Sequence, residues 1–238
     1  MRLRTLLIVA VMMIAAGSSG DAQRITTPRL YVIDGGVLES DPGRYRLSPS
    51  EVATTQLSVA AYLIVHPRGT LMWDSGAIQD GSWTPTGSPV VRRLVLSNSQ
   101  DRQVTLRAPL MAQLAAAGVG PGKITYFALS HEHWDHVANA NAFAPATWLV
   151  PQAQRDAMFP QTAEPPHPST YAALRNSKAM IISGDHAVFG DGTVVIKPAP
   201  GHTPGHAVRE AREDGRSGSV RGPIPLSRGA DAEAAADR

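Results

Sequence analysis

Cysteine is absent from all 238 residues, which excludes disulfides and thiolate ligands, so any metal must be held by nitrogen and oxygen donors. Aromatic residues make up only 5% of the chain and charged residues 18%. With 43% hydrophobic residues the sequence still has ample material for a packed interior, which excludes a disordered polymer. The formal net charge of +2 leaves no basic stripe, so no nucleic-acid partner is expected. No apolar run is long enough for a bilayer: Leu6 to Ala16 falls well short of the roughly 20 residues that a spanning helix needs. No internal unit of about 20–50 residues recurs.

That short apolar run has a different use. Arg2 and Arg4 precede it, and small residues lead from it to Gly20-Asp21-Ala22. This is the pattern of an export signal over residues 1–22, cleaved after Ala22, and it predicts a periplasmic or secreted protein with no stable membrane anchor. Cleavage removes two Arg and one Asp, leaving a nearly neutral chain that suits an uncharged or amphiphilic small-molecule substrate. The length suits one large domain or two small ones, and nothing in the composition speaks to oligomeric state.

The chemistry concentrates in Ser130-His131-Glu132-His133-Trp134-Asp135-His136. Ile124 to Leu129, short and apolar, reads as a buried strand ending at Ser130. Residues two apart at a strand end share a face, so His131 and His133 converge on one ion. Asp135 and His136 follow where the chain turns toward a helix, placed to face a second ion. Imidazole suits zinc; with a carboxylate added, zinc, manganese or iron would serve. Further on, Gly201-His202-Thr203-Pro204-Gly205-His206 begins where a strand gives way to a tight turn. His202 is expected to return there and close a three-histidine set with His131 and His133.

The H-x-H-x-D-H order, followed by that second histidine motif, resembles the metallo-β-lactamase superfamily, and within it the N-acyl homoserine lactonase-like branch. The resemblance runs from about Leu57 to His206 and takes in Trp73-Asp74-Ser75-Gly76 and Ala146 to Pro151. It implies an α/β chain of the four-layer αββα fold, with metal ligands His131, His133, Asp135, His136 and His202. His206 would be structural, and Asp74 an outer group orienting a ligand histidine; as a turn cap Asp74 would have a purely local role. The family's bridging carboxylate comes from a Ser-Gly-Asp segment after the second motif. Here Ser183-Gly184-Asp185 precedes it, so Asp185 reads as a turn residue.

The rest of the chain alternates strand and helix signals, which argues for one layered α/β domain over residues 23–206. Leu30 to Ile33 reads as a strand broken by Asp34-Gly35-Gly36. Leu57 to Val65 and Thr70 to Trp73 read as strands joined through His66, a solvated turn residue. Gly76 to Asn98 reads as loop, with Trp83 as a candidate lining of a substrate entrance. Leu106, Leu110, Met111 and Leu114 form a helical stripe. Thr147 to Val150 is a strand, Gln152 to Met158 a helix and Ala179 to Ile182 a strand. The Pro-rich stretch Pro160 to Pro168 is a loop that covers the site, with His167 outside the metal set. Asp191-Gly192 marks a hairpin. From Ala207 to Arg238 there are six Arg and seven Ala, no aromatic residue and no histidine, and the family's expected later strands have no counterpart. The reading is a disordered or frameshifted tail behind a fold whose second half is incomplete.

The resemblance implies a zinc-dependent hydrolase in which metal-bound hydroxide opens a lactone or ester. N-acyl homoserine lactone hydrolysis (quorum quenching) is the leading expectation, with Asp135 as the catalytic residue that handles the proton. One or two zinc ions are expected, the second lacking a bridging carboxylate. A β-lactam or thioester hydrolase of the same fold, or a non-catalytic metal-binding remnant, are the alternatives.

Overall fold

The computed structural model describes residues 26–82, 88, 90–95, 101–163, 166–212 and 219–220. The export signal, Trp83 and most of the 207–238 tail lie outside the described residues. Among those described, no helix is long and apolar enough to cross a membrane.

The strands are β1 (Arg29–Glu39), β2 (Gln56–His66), β3 (Gly69–Trp73), β4 (Val90–Val95) and β5 (Asp101–Leu106), followed by helix α1 (Leu110–Ala116). Then come β6 (Tyr126–Ala128), α2 (Trp134–Val137), β7 (Thr147–Pro151), α3 (Gln152–Met158), α4 (Pro168–Tyr171) and β8 (Ala179–Ile182). The chain continues through β9 (His186–Ala187), β10 (Val194–Pro198), β11 (Ala207–Arg212) and β12 (Ser219–Val220). Eight strands form a mixed sheet in the order β4-β5-β1-β2-β3-β6-β7-β8; the other four form a second sheet, β12-β11-β10-β9.

Three cores hold this arrangement. On one face of the large sheet the helical side chains Leu110, Leu114, Phe143 and Met158 meet Leu63, Met72, Phe127 and Trp148. The opposite face of that sheet meets the small one through Ile64, Leu71, Trp73 and Leu149 against Val194, Ile196 and Ala207. A third cluster, including Leu38, Val59, Val104 and Leu106, closes the β1–β2–β5 end. The described residues thus supply helices, large sheet and small sheet, three of the four expected layers. They place no helix on the outer face of the small sheet.

Several local readings need correction. β1 does not stop at Asp34-Gly35-Gly36; it runs through to Glu39 with a bulge between Asp34 and Gly36. Gly36 has φ +125, and a Cβ at Gly35 would lie 2.9 Å from the Val59 carbonyl oxygen, so the glycines admit the bulge rather than end the strand. Leu106 closes a strand, and α1 begins only after Pro109, which disfavours helix in the residue before it. β4 lies inside the stretch read as loop and pairs antiparallel with β5. The domain also continues past His206, because β11 pairs with β10 from Ala207 to Ala211. Its residues form no apolar run, since Val208 is exposed and Arg209 packs over the Tyr62 ring at 4.1 Å.

His66 is likewise not solvated. The turn after β9 folds over it, stacking Phe189 on its ring at 4.2 Å and placing Asp191 Oδ2 3.0 Å from Nε2. Its Nδ1 accepts from the Arg68 backbone N–H.

Candidate metal centre

β6 runs parallel to β3, and the two strands end side by side. Beyond Ala128 the chain has no regular structure and bends at Ser130 and His133, and His133, at φ −66 and ψ 154, starts α2. His131 and His133 meet in this segment with ring centroids 4.6 Å apart. The loop after β10 brings His202 back, 4.5 Å from the His131 ring and 4.6 Å from that of His133. Two sets of donors result, His131–His133–His202 and His131–Asp135–His136, in each of which the ligand atoms lie within 4.8 Å of one another. All five residues expected at the site meet in these sets, and His131 belongs to both.

The surroundings orient these rings. Asp74 is buried and takes φ +61, a left-handed backbone that Asp tolerates better than most residues. Its Oδ1 accepts the Ser130 N–H at 2.7 Å, and its Oδ2 lies 3.1 Å from His136 Nδ1. Of the two readings of Asp74, the geometry therefore matches the orienting one. Ser130 Oγ sits 3.1 Å from His131 Nδ1 and 3.2 Å from His136 Nδ1, so one hydroxyl steadies both rings. The Nε2 of each ring then faces the donor cluster. Ser130 was legible only as the residue before the motif, and its role was not.

The electrostatics favour neutral imidazole. Burial, reinforced by His136, His133, His202 and His206, holds His131 well below its ordinary value. Burial also lowers His206, whose Nδ1 donates to the Ala199 carbonyl 3.1 Å away. Burial raises Glu132, which accepts from Thr203 Oγ1 at 3.2 Å and so ties the first histidine motif to the second. His131 Nε2 and His202 Nε2 face each other at 3.0 Å, while His202 Nδ1 is buried without a partner. Two imidazole nitrogens aimed at one place, beside a third ring and a carboxylate, make a donor set that a divalent cation could accept. The donor set fits such an ion.

The remaining sequence candidates sit elsewhere. Asp185 is exposed and pairs with Lys197 Nζ at 3.0 Å, in keeping with a turn residue. His167 stands outside both donor sets, although its backbone N–H donates to the Tyr171 hydroxyl. Trp134, inside the first histidine motif, packs against the third core.

Comparison with known proteins agrees with this geometry. The metallo-beta-lactamase superfamily profile matches residues 95–216. The N-acyl homoserine lactonase AttM of Azorhizobium caulinodans is 25% identical over 204 residues, covering 76% of this chain and 70% of the relative. AttM of Agrobacterium fabrum is 26% identical over 199 residues, with the same coverage. An N-acyl homoserine lactone hydrolase solved with N-hexanoyl-L-homoserine at its catalytic metal center superposes with a TM-score of 0.61 at 22% identity, over 80% of this chain and 72% of that one. An AiiA variant of B. thuringiensis, with N-decanoyl-L-homoserine at its active site, gives 0.60 at 22% identity, over 79% and 71%. At such identity the solved structures share the fold. The profile spans just over half of the sequence, and the chain belongs to the metallo-beta-lactamase superfamily.

Proposed function

We propose that this metal-dependent hydrolase opens the ester ring of an N-acyl homoserine lactone, adding water to give the N-acyl homoserine. The observation that carries the reading is the pair of donor sets joined at His131. The lactonase names of the relatives that align over 76% of the chain support the substrate class. His131, His133 and His202 would hold zinc, the ion that suits an imidazole set. When bound, it supplies a Lewis acid for the ester carbonyl and a water whose pKa falls to about 7. Asp135, half-buried beside His136, takes up the proton lost as water adds to the carbonyl carbon. It returns that proton to the ring oxygen as the C–O bond breaks. The pairing of Asp74 with His136, and the hydroxyl of Ser130, keep the imidazoles aimed while the substrate reacts.

One ion per chain is the expected stoichiometry. His131 is common to both sets but has a single Nε2 to give, because its Nδ1 is engaged by Ser130. Among the described residues no carboxylate belongs to both sets, so nothing there offsets the repulsion between two divalent ions roughly 3.5–4 Å apart. The same observation favours a second reading, a chain that binds metal without turning over substrate.

Elemental analysis and a substrate panel separate the two. The panel should hold N-acyl homoserine lactones of several chain lengths, an aryl ester, a thioester and a β-lactam. Lactone opening that releases one proton per turnover, with about one zinc bound, is the expected result. Zinc with no turnover of any substrate would establish the second reading. Replacing His131 or His133 by Ala should bring bound zinc close to background; unchanged stoichiometry would sink the ligand assignment. We further propose that the protein acts outside the cytoplasm, on the strength of residues 1–22, which cell fractionation would test.

A further inference from the structure

Asn139 is the second residue beyond α2, it is buried, and its side chain touches none of the metal donors. Its carboxamide is nevertheless fully engaged. Nδ2 donates to the Ser75 carbonyl at 3.0 Å and to the Ile78 carbonyl at 2.8 Å, and Oδ1 accepts the Asp80 N–H at 2.8 Å. Residues 74–79 have no regular secondary structure, so these backbone groups have no ladder to join. Without the Asn139 carboxamide the Ile78 carbonyl and the Asp80 N–H would lose these partners, and the Ser75 carbonyl would keep only the Asn139 backbone N–H at 3.3 Å. Unpaired buried backbone groups are a state that folded chains rarely tolerate.

The segment that Asn139 holds is the one that carries Asp74. The rest of the seam runs the same way: Ser75 N and Oγ both donate to the His136 carbonyl, and Ala138 N donates to the Gly76 carbonyl. Asp74 in turn reaches His136 Nδ1 and the Ser130 N–H, and Ser130 Oγ reaches His131. A shift of the 75–80 turn by a fraction of an ångström would thus open the bond between Asp74 and His136 and release both rings.

We propose that Asn139 is a positioning residue for the metal centre. It gives the 75–80 turn the hydrogen-bond partners that strand structure would otherwise provide, and so holds Asp74 against His136. The inference rests on the metal-dependent reading above and adds a residue to it.

The test is proton NMR of the chain with and without zinc, together with zinc titration. The His136 Nδ1–H shared with Asp74 should give a resonance downfield of the amides, assigned by its loss in Asp74→Ala. In Asn139→Ala that resonance should vanish into exchange, and the zinc Kd should rise about tenfold or more, the usual scale for outer-shell changes. Asn139→Ser keeps one donor and one acceptor on a shorter side chain; if alanine prevents folding, serine should show the same loss.

Asp80→Ala is the control. It removes the carboxylate that accepts the Leu110 and Met111 N–H groups but keeps the backbone N–H that Asn139 binds. It should lower Tm by about 2–4 °C with resonance and Kd unchanged. A lower Tm in the Asn139 variants with the resonance and the zinc Kd intact would overturn the proposal. Failure of the wild-type chain to hydrolyse any ester would count against the proposed function alone, because neither readout requires turnover.

Discussion

At the scale of single residues, protonation governs the metal centre. Burial depresses the folded-state pKa of His131 and His206 below the ordinary 6.5. The unfolded chain therefore takes up protons first as pH falls, so the stability these neutral rings contribute is complete above about 6.5 and declines below it. A metal bound by neutral imidazole competes with protons in the same direction. Calorimetry of the metal-free chain should show Tm falling from about pH 7.5 to about pH 5.5, whereas a flat profile would show that the rings titrate freely. Residue types packed into a short span are what made the candidate donors legible: His131, His133, Asp135 and His136 lie within six positions. The residues that orient them were harder to see. Ser130 and Asp74 are 56 positions apart, and Asn139 meets its partners across 59 to 64, distances over which no periodicity speaks. His66 was misjudged for the same reason, since its turn looks exposed until Asp191, far along the chain, closes over it.

At the scale of elements, the loop carrying His202 is positioned by what it lacks. A Cβ at Gly205 would collide with the backbone nitrogen and Cβ of Gln154 in α3. The loop and the helix are therefore seated against each other with no side chain between them. Gly205→Ala should cost roughly 1–3 kcal/mol by overpacking. It should also reduce bound zinc, because His202 lies in the same short loop; thermal melts and metal analysis of one preparation would measure both, and a destabilised variant with full zinc would separate the loop from the ligand. Elements with a single dominant signal were legible, as α3 over Gln152–Met158 and β8 over Ala179–Ile182 show. Those with mixed signals were not. Leu106 sits four residues before Leu110 and so joined the helical stripe, although it is the last residue of β5. β11 gave no hydrophobic pattern because Val208 is exposed and an arginine stem, laid over Tyr62, stands where an apolar side chain would be expected.

At the scale of the whole molecule, the large sheet is covered unevenly. Ile64, Leu71 and Trp73 lie beneath the small sheet, but the same face continues through Tyr62 to Val32, which is 67% exposed. Pairing carries it on through Val37 and Thr105 to Val91, 56% exposed. Exposed apolar side chains such as these, left uncovered by the described residues, favour self-association. Val32→Lys should raise the monomer fraction in light scattering while moving stability by no more than about 0.5 kcal/mol. The same two-sheet construction sets when a metal can arrive. His202 and His131 stand 71 positions apart and meet only once the small sheet has docked. On an emerging chain His131 and His133 would offer at most a weak, two-toothed grip, and retention would begin only as the last strands settled. Once closed, the ion would act as a clasp between the sheets, and its residence time would count how often they part.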